Sequence, residues 1–207
     1  QDIIGQYPSA SVFGWVLQMN NSTQLRAIFN NNAAVSNING SLAITPFQWF
    51  HVALVRVGTA QTLYFNGANV GTSTLSGNVG TTTDAVWVGN GGSTDFVQGF
   101  IFNPRVIKGT ALYKSTFVPP TSPLTAVTST ELLLLGTNGA IYDNAVRNVM
   151  ETSTASISTS VVKYGTGSIA FVGTGYMKYP LVPFFGLGAG DFTVEFWMYV
   201  TSTPTTE

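Results

Sequence analysis

The 207-residue chain contains no cysteine, which excludes a disulfide framework and any metal site built from thiolates. It is also poor in charge, because Asp, Glu, Lys and Arg make up 8% of its residues, against about 25% in an average soluble domain. The eight basic residues are scattered, at Arg26, Arg56, Arg105, Lys108, Lys114, Arg147, Lys163 and Lys178. Since they form no basic patch along the sequence, nucleic-acid binding through counterion release is not expected.

Long apolar runs are missing as well. Apolar stretches such as Leu132–Leu135 are far short of the roughly 18 residues expected of a membrane-spanning helix, so no membrane insertion is expected. Hydrophobic residues nevertheless make up 44% of the chain. Disordered chains are rich in charge and poor in apolar residues, so this composition predicts a folded domain with a largely neutral surface.

Alternation of apolar and polar residues is the dominant pattern in the chain. Every second residue from Phe192 to Val200 is apolar, as in a strand with one buried face. Asn66-Gly67 is a dipeptide typical of a tight hairpin, Pro104 indicates the end or edge of a sheet ladder, and Gly109–Tyr113 suggests a short helical turn. Turn clusters recur about every 8–12 residues, which predicts an all-β, two-sheet antiparallel sandwich.

Several segments resemble the laminin G-like, concanavalin A-like lectin/glucanase domains. Gln48–Arg56 and Leu63–Gly67 resemble the family hairpin W-x-H-V-A-hydrophobic-x-R followed by L-Y-hydrophobic-[ND]-G. Phe96–Ile101 and Arg105–Tyr113 resemble its final strand and exit, and Phe117–Leu124 resembles the F-x-P-P-x-x-P-L tail of phage versions. The resemblance implies a jelly-roll sandwich.

Segments that usually open such a domain occur late in this chain. Lys163–Phe171 and Gly190–Tyr199 resemble early strands of the family. Residues 126–207 therefore resemble the N-terminal portion of a laminin G-like domain and residues 1–125 the C-terminal portion, forming together one jelly roll or parts of two tandem copies. This circularly permuted order has three explanations: a tandem array cut in a surface loop, a permuted domain, or strand exchange with a neighbouring chain.

The sequence lacks the carboxylate pattern of the glucanases that share this fold. Those that resemble laminarinases have E-x-D-x-x-E on one strand, which places an acid and a nucleophile on the same face. The nearest match, Asp191–Glu195, has the wrong spacing and lacks the third carboxylate. His51, the only histidine, is expected to be a packed structural residue, so the chain is predicted not to be an enzyme.

No cofactor is expected, and calcium is the one metal that the resemblance suggests. Family members often hold Ca²⁺ at the rim of the sandwich with Asp or Asn side chains and backbone carbonyls, as a hard cation requires. Asn103 stands near the position where the family often has an acid. Asp143 and Asn144 are the predicted metal ligands, with Asp84 and Asp95 as further acids in turns.

Aromatic residues beside turns are the candidates for sugar binding, because an aromatic face can receive the apolar face of a pyranose ring. The predicted carbohydrate site consists of Trp87, Asn90, Tyr142 and Tyr176. Tyr7 and Tyr179 also lie near turn residues.

Two functions follow from the resemblance. The first is a structural or adhesion module of a virus particle, such as a phage tail-fibre or capsid-decorating domain at the virion surface. Its expected partners are other virion proteins or copies of itself in an oligomer, with cell-surface glycans as a further ligand. The second is a lectin-like, carbohydrate-binding module of a bacterial surface or secreted protein, and thus extracellular.

Overall fold

The computed structural model describes residues 1–6, 14–20, 23–79, 85–90, 96–138, 140–145, 151–179 and 186–201. These residues form strands, turns and loops without a helix, which confirms the all-β prediction. Accordingly, the described ranges hold no helix long and apolar enough to cross a membrane.

Sixteen strands are described. In chain order they are β1 (Asp2–Gln6), β2 (Trp15–Asn20), β3 (Gln24–Asn30), β4 (Val35–Ala43), β5 (Trp49–Val57), β6 (Ala60–Phe65), β7 (Ala68–Thr74), β8 (Val86–Val88), β9 (Gly99–Lys108), β10 (Thr130–Gly136), β11 (Ile141–Asp143), β12 (Glu151–Ser153), β13 (Ser156–Ser158), β14 (Ser168–Phe171), β15 (Tyr176–Tyr179) and β16 (Phe192–Val200). They form two antiparallel sheets, consistent with a concanavalin A-like jelly-roll sandwich. The first sheet has seven strands in the order β12-β15-β8-β1-β2-β3-β4. The second has nine strands: seven follow the order β11-β10-β9-β16-β5-β6-β7, and the other two are β14, which also pairs with β9, and β13, which pairs with β14.

The late strand β16 lies in the middle of the nine-stranded sheet. Its residues pair with β5 on one side and β9 on the other, as at Tyr199, which is opposite both Trp49 and Phe100. Residues 1–125 and 126–207 each contribute strands to both sheets. The division of the chain at residue 125 and its permuted origin stay predictions.

The main core lies between the two sheets. Its largest side chains include Trp15 and Phe29 from the seven-stranded sheet and Phe50, Phe171 and Phe196 from the nine-stranded one, each at most 2% exposed. Alternation in β16 directs Phe192, Val194 and Phe196 into this core, as the sequence predicts. The intervening residues of β16 therefore face the outer side of the sheet.

Strand β9 contains a bulge at Asn103-Pro104. The pairing of β9 with β16 shifts register between Glu195 and Trp197, and Asn103 has a positive φ of 49°. The interpretation of Pro104 as a strand end or sheet edge is wrong, because this strand is internal. A bulge relieves proline of the ladder hydrogen bond that it cannot donate.

Residues 109–125, here called the strap, follow β9 and run over the outer face of the nine-stranded sheet. Ala111, Tyr113 and Phe117 of the strap pack on Ala53 and other outward residues of β5 and β6. The rings of Tyr113 and Phe117 stack with centroids 3.7 Å apart. The short helical turn predicted over Gly109–Tyr113 is wrong, because this segment lies against the sheet without helical structure.

Candidate functional site

Trp87 and Tyr176 form an aromatic pair on the outer face of the seven-stranded sheet. Their ring centroids are 4.8 Å apart at an interplanar angle of 60°. Both side chains are half-buried, and the Lys178 Nζ lies 4.9 Å from the centroid of the Trp87 ring. Val88 and Met177, the neighbouring residues in the two strands, point into the core. The pair therefore offers part of its ring surface to solvent from the outer face of a β-sheet.

The other two residues of the predicted carbohydrate site lie apart from this pair or beneath the surface. Asn90 follows β8 and is only 2% exposed. Tyr142 is 43% exposed but belongs to β11, which is in the nine-stranded sheet. The structure thus brings together Trp87 and Tyr176, while the four-residue sugar site stays a prediction. Tyr7 lies outside the described residues.

Of the predicted metal ligands, Asp143 is the last residue of β11 and Asn144 follows it in a bend. The Asp143 Oδ1 accepts hydrogen bonds from the backbone N–H groups of Leu133 and Ala145, both at 2.9 Å, and the Asn144 N–H donates to the Leu133 carbonyl at 2.8 Å. The described part of the chain holds no cluster of three His, Cys, Asp or Glu residues suited to a metal ion. The calcium site at Asp143 and Asn144 stays a prediction, since Ca²⁺ also takes backbone carbonyls, amide oxygens and waters as ligands. Asp84 and Asp95 lie outside the described residues.

A buried ionic cluster lies between the strap and the nine-stranded sheet. Glu195 accepts hydrogen bonds from the Arg105 Nε at 2.8 Å and from the Tyr113 hydroxyl at 2.6 Å, and His51 Nε2 lies 3.2 Å from its Oε2. A second guanidinium nitrogen of Arg105 also contacts the carboxylate. Glu195 and His51 are fully buried. Arg105 donates in addition to the Thr125 carbonyl at 2.6 Å, so the cluster holds both Tyr113 and the end of the strap.

The ionisation of this cluster follows from its contacts. Burial alone would raise the pKa of Glu195, but the hydrogen bonds from His51 and Tyr113 and the charge of Arg105 outweigh it and hold that pKa below its ordinary value. Burial also raises the pKa of the Tyr113 hydroxyl, and the Glu195 charge raises it further. Glu195 is therefore a charged and fully enclosed structural carboxylate.

A family model gives the comparison with known proteins. The laminin G model described as the concanavalin A-like lectin/glucanases superfamily matches residues 2–112, which is more than half of the chain. The chain belongs to this superfamily. Comparisons with curated proteins and with solved structures gave no significant match.

The superfamily name covers both lectins and glucanases, and Asp191 with Glu195 is the pair of acids that comes nearest to a glucanase motif in the sequence. Asp191 and Glu195 are four residues apart in extended chain, which places their Cα atoms roughly 13 Å apart. Glycosidases need two carboxyl groups about 5–9.5 Å apart. Asp191 Oδ1 accepts the Gly58 N–H at 2.8 Å, and Glu195 has no open face. This pair therefore does not form a glucanase site.

A second aromatic group emerges on the outer face of the nine-stranded sheet. Trp49, Tyr199 and Phe100 are directly opposite one another on β5, β16 and β9, with Tyr199 ring centroids 5.5 Å from Trp49 and 5.8 Å from Phe100. Phe47 adds a fourth ring, 6.4 Å from Tyr199. We call these four residues the aromatic row. Sequence reasoning missed it because the register joins three distant strands; the only local signal was an aromatic residue at an outward position in each.

Proposed function

We propose that this superfamily member is a non-catalytic structural and adhesion module of a virus particle, either a tail-fibre or a capsid-decorating domain, that binds host-surface glycans. The observation that supports glycan binding most directly is the Trp87–Tyr176 pair. A pyranose ring presents an apolar C–H face, and two neighbouring aromatic rings at a sheet surface form a platform of matching chemistry. Lys178 borders this platform, with its Nζ 4.9 Å from the centroid of the Trp87 ring.

The non-catalytic part of the proposal rests on the acids. Glu195 is enclosed by His51, Arg105 and Tyr113, so it has no path to a substrate. Asp191 is separated from it by more than a glycosidase tolerates. A binding module needs neither residue to be accessible.

The viral part of the proposal rests on the resemblance of Phe117–Leu124 to phage tails and on the low charge of the chain. A neutral coat suits a domain packed among copies of itself or other virion proteins. A tandem array, a permuted domain and strand exchange would each account for the order of residues 1–125 and 126–207, and the mass of the native particle would discriminate among them.

The second candidate is a lectin-like module of a bacterial surface or secreted protein. The same aromatic pair favours it, since glycan binding does not depend on a virion. The two candidates differ in where the protein resides, and antibody labelling of purified virions and of host cells would separate them. Labelling of cells alone would contradict the viral assignment.

The glycan-binding proposal is tested by a glycan array followed by calorimetry on the best hit, with and without a calcium chelator. We expect Trp87→Ala to weaken binding at least about tenfold, or about 1.4 kcal/mol. Tyr142→Ala, an exposed aromatic in the other sheet, serves as the matched control and should bind as the wild type does. Unchanged binding by Trp87→Ala with an unaltered melting temperature would rule out the pair as the site.

A further inference from the structure

Arg56 is a buried cation that has no carboxylate partner among the described residues. It lies two residues after Leu54 in β5, so alternation directs its side chain into the space between the two sheets, where it is 1% exposed. Within the described ranges, no Asp or Glu oxygen lies within 4.0 Å of the guanidinium nitrogens. The nearby acid Asp191 instead accepts the Gly58 N–H at 2.8 Å through its Oδ1. Because buried charges in proteins are paired or coordinated, other groups must stabilise this guanidinium.

Four backbone carbonyls surround the Arg56 guanidinium. They accept its hydrogen bonds at Gly58 (2.7 Å, from Nε), Gly188 (3.3 Å, from Nη1), Leu75 (3.1 Å, from Nη2) and Gly77 (2.7 Å, from Nη2). Gly58 lies in the turn between β5 and β6, Gly188 precedes β16, and the other two residues follow β7. Proteins hold small cations with backbone carbonyl oxygens in the same way. The four oxygens are therefore arranged as ligands of a cation.

The positive charge favours the approach of these three segments to one another. Carbonyl oxygens carry partial negative charge, so oxygens that converge on one point repel each other unless a positive group lies between them. Three of the four belong to glycines with positive φ values, 58° at Gly58, 77° at Gly77 and 66° at Gly188. Glycine enters this region without steric cost, but it also loses the most conformational freedom on folding. Without a cation, the three segments would therefore tend to separate.

The shape of the site suits a guanidinium group better than an ammonium group or a metal ion. A guanidinium has five N–H donors fixed in one plane, and Arg56 uses all three of its nitrogens to reach the four carbonyls. A lysine ammonium has three donors, so at least one carbonyl would lose its partner. Ca²⁺ takes about 6–8 oxygen ligands, more than the four carbonyls supply.

We propose that these four carbonyls form a binding site for a guanidinium group, and that the Arg56 side chain is its built-in ligand. The site joins three segments at one end of the sandwich, where β5 and β7 end and β16 begins. This role is independent of glycan binding at Trp87. When the Arg56 side chain is shortened, the empty site should bind a free guanidinium ion, or a monosubstituted one such as methylguanidinium.

Thermal unfolding of Arg56→Ala in the presence of guanidinium chloride tests the proposal. The variant should melt below the wild type, and guanidinium at ten times its dissociation constant should raise the melting temperature by about 3–6 °C. Urea has a similar planar shape and N–H donors but no charge, so it should give no increase at equal concentration. The wild type, whose site is filled, should show no increase with either compound, and sodium chloride controls for ionic strength. An equal response to guanidinium and urea, or no response to guanidinium up to about 100 mM, well above a millimolar dissociation constant, would overturn the proposal.

Arg26→Ala is the matched control variant. Arg26 lies on β3 in the other sheet and is half-buried. In the described part of the chain its guanidinium donates to the Asn37 side chain at 3.3 Å and to no backbone carbonyl. Guanidinium should therefore not raise the melting temperature of Arg26→Ala. A rise equal to that of Arg56→Ala would show a general effect of the ion and would contradict a specific site.

Two further measurements do not require Arg56→Ala to fold. In nitrogen NMR spectra of the wild type, the Nη N–H groups of Arg56 should exchange with water at least about tenfold more slowly than those of Arg26, because they are buried and bonded. Equal exchange rates would overturn the carbonyl site. Arg56→Met keeps much of the side-chain volume but leaves the carbonyls without donors, so it should lower the melting temperature by about 5 °C or more. An unchanged melting temperature would show that Arg56 only fills space.

Discussion

Replacing Glu195 by glutamine probes the buried ionic cluster with little change in volume. Glu195→Gln removes the negative charge that faces Arg105 Nε at 2.8 Å, while the guanidinium stays buried. The glutamine carbonyl oxygen can still accept hydrogen bonds from Tyr113 or from Arg105. The glutamine NH₂ group takes the place of the second carboxylate oxygen. It is a hydrogen-bond donor and faces other donors of the cluster, where the carboxylate oxygen accepted their hydrogen bonds. The variant therefore leaves a buried cation without its counter-ion.

The expected loss of stability is large for a single substitution. Breaking a buried ion pair by removing one partner costs about 3–5 kcal/mol. A chain of this length loses roughly 2–4 °C of melting temperature per kcal/mol, so the expected decrease is about 6–20 °C. An exposed ion pair would contribute only about 0–1 kcal/mol, which makes the two cases easy to tell apart.

Urea unfolding measures this loss, with the free energy of unfolding extrapolated to water and the slope m compared between variants. Glu131→Gln, a half-buried carboxylate on β10, is the matched control and should change stability by no more than about 0.5 kcal/mol. A loss below about 1 kcal/mol for Glu195→Gln at unchanged m would refute the reasoning, because the cluster would then stabilise the fold no more than a surface pair does.

Two further predictions concern the same region. The folded-state pKa of Glu195 is depressed, so its contribution to stability is complete above the unfolded pKa of about 4.3 and is lost as the pH falls from there through the folded pKa. Melting temperatures measured between about pH 6 and pH 3 should therefore fall more steeply for the wild type than for Glu195→Gln. Parallel curves would contradict this. Gly67→Ala would bring a Cβ into collision with the Phe117 carbonyl oxygen at a φ of 79°, whereas Gly58→Ala, at a φ of 58°, meets nothing within 4 Å. Gly67→Ala should therefore cost at least about 2 kcal/mol more than Gly58→Ala and should speed tryptic cleavage after Lys114 in the strap, and equal losses would argue against the strap contact.

Local patterns were sufficient for much of the fold. Alternation from Phe192 to Val200 predicts a strand with one buried face, which is how β16 lies. Asn66 and Gly67 have φ values of 48° and 79° in the hairpin between β6 and β7, as the Asn-Gly dipeptide predicts. Such features depend on the φ preferences and burial of adjacent residues, so they can be read within a short window of sequence.

Features that depend on long-range register escaped prediction. Pro104 occupies an internal strand because the Asn103 side chain makes contacts across the bulge, donating to the Leu134 carbonyl and accepting the Leu124 N–H, both at 3.1 Å. The aromatic row joins three strands that are far apart in the chain, and the Glu195 cluster joins the same three strands and the strap. The Trp87–Tyr176 pair was predicted as a set of turn aromatics, but its separation from Tyr142 follows from which sheet each strand joins.

The central position of β16 also bears on how the protein is made. From Lys108 at the end of β9 to Phe192 at the start of β16 is 84 residues, which a ribosome needs roughly 4–17 seconds to add. During that time β5 and β9 have emerged but lack the strand that joins them, and each keeps one side of unpaired backbone groups. Unpaired strand edges template association between chains. We therefore expect nascent chains of this protein to depend on chaperones until residues 192–200 leave the ribosome, and to aggregate when truncated before β16.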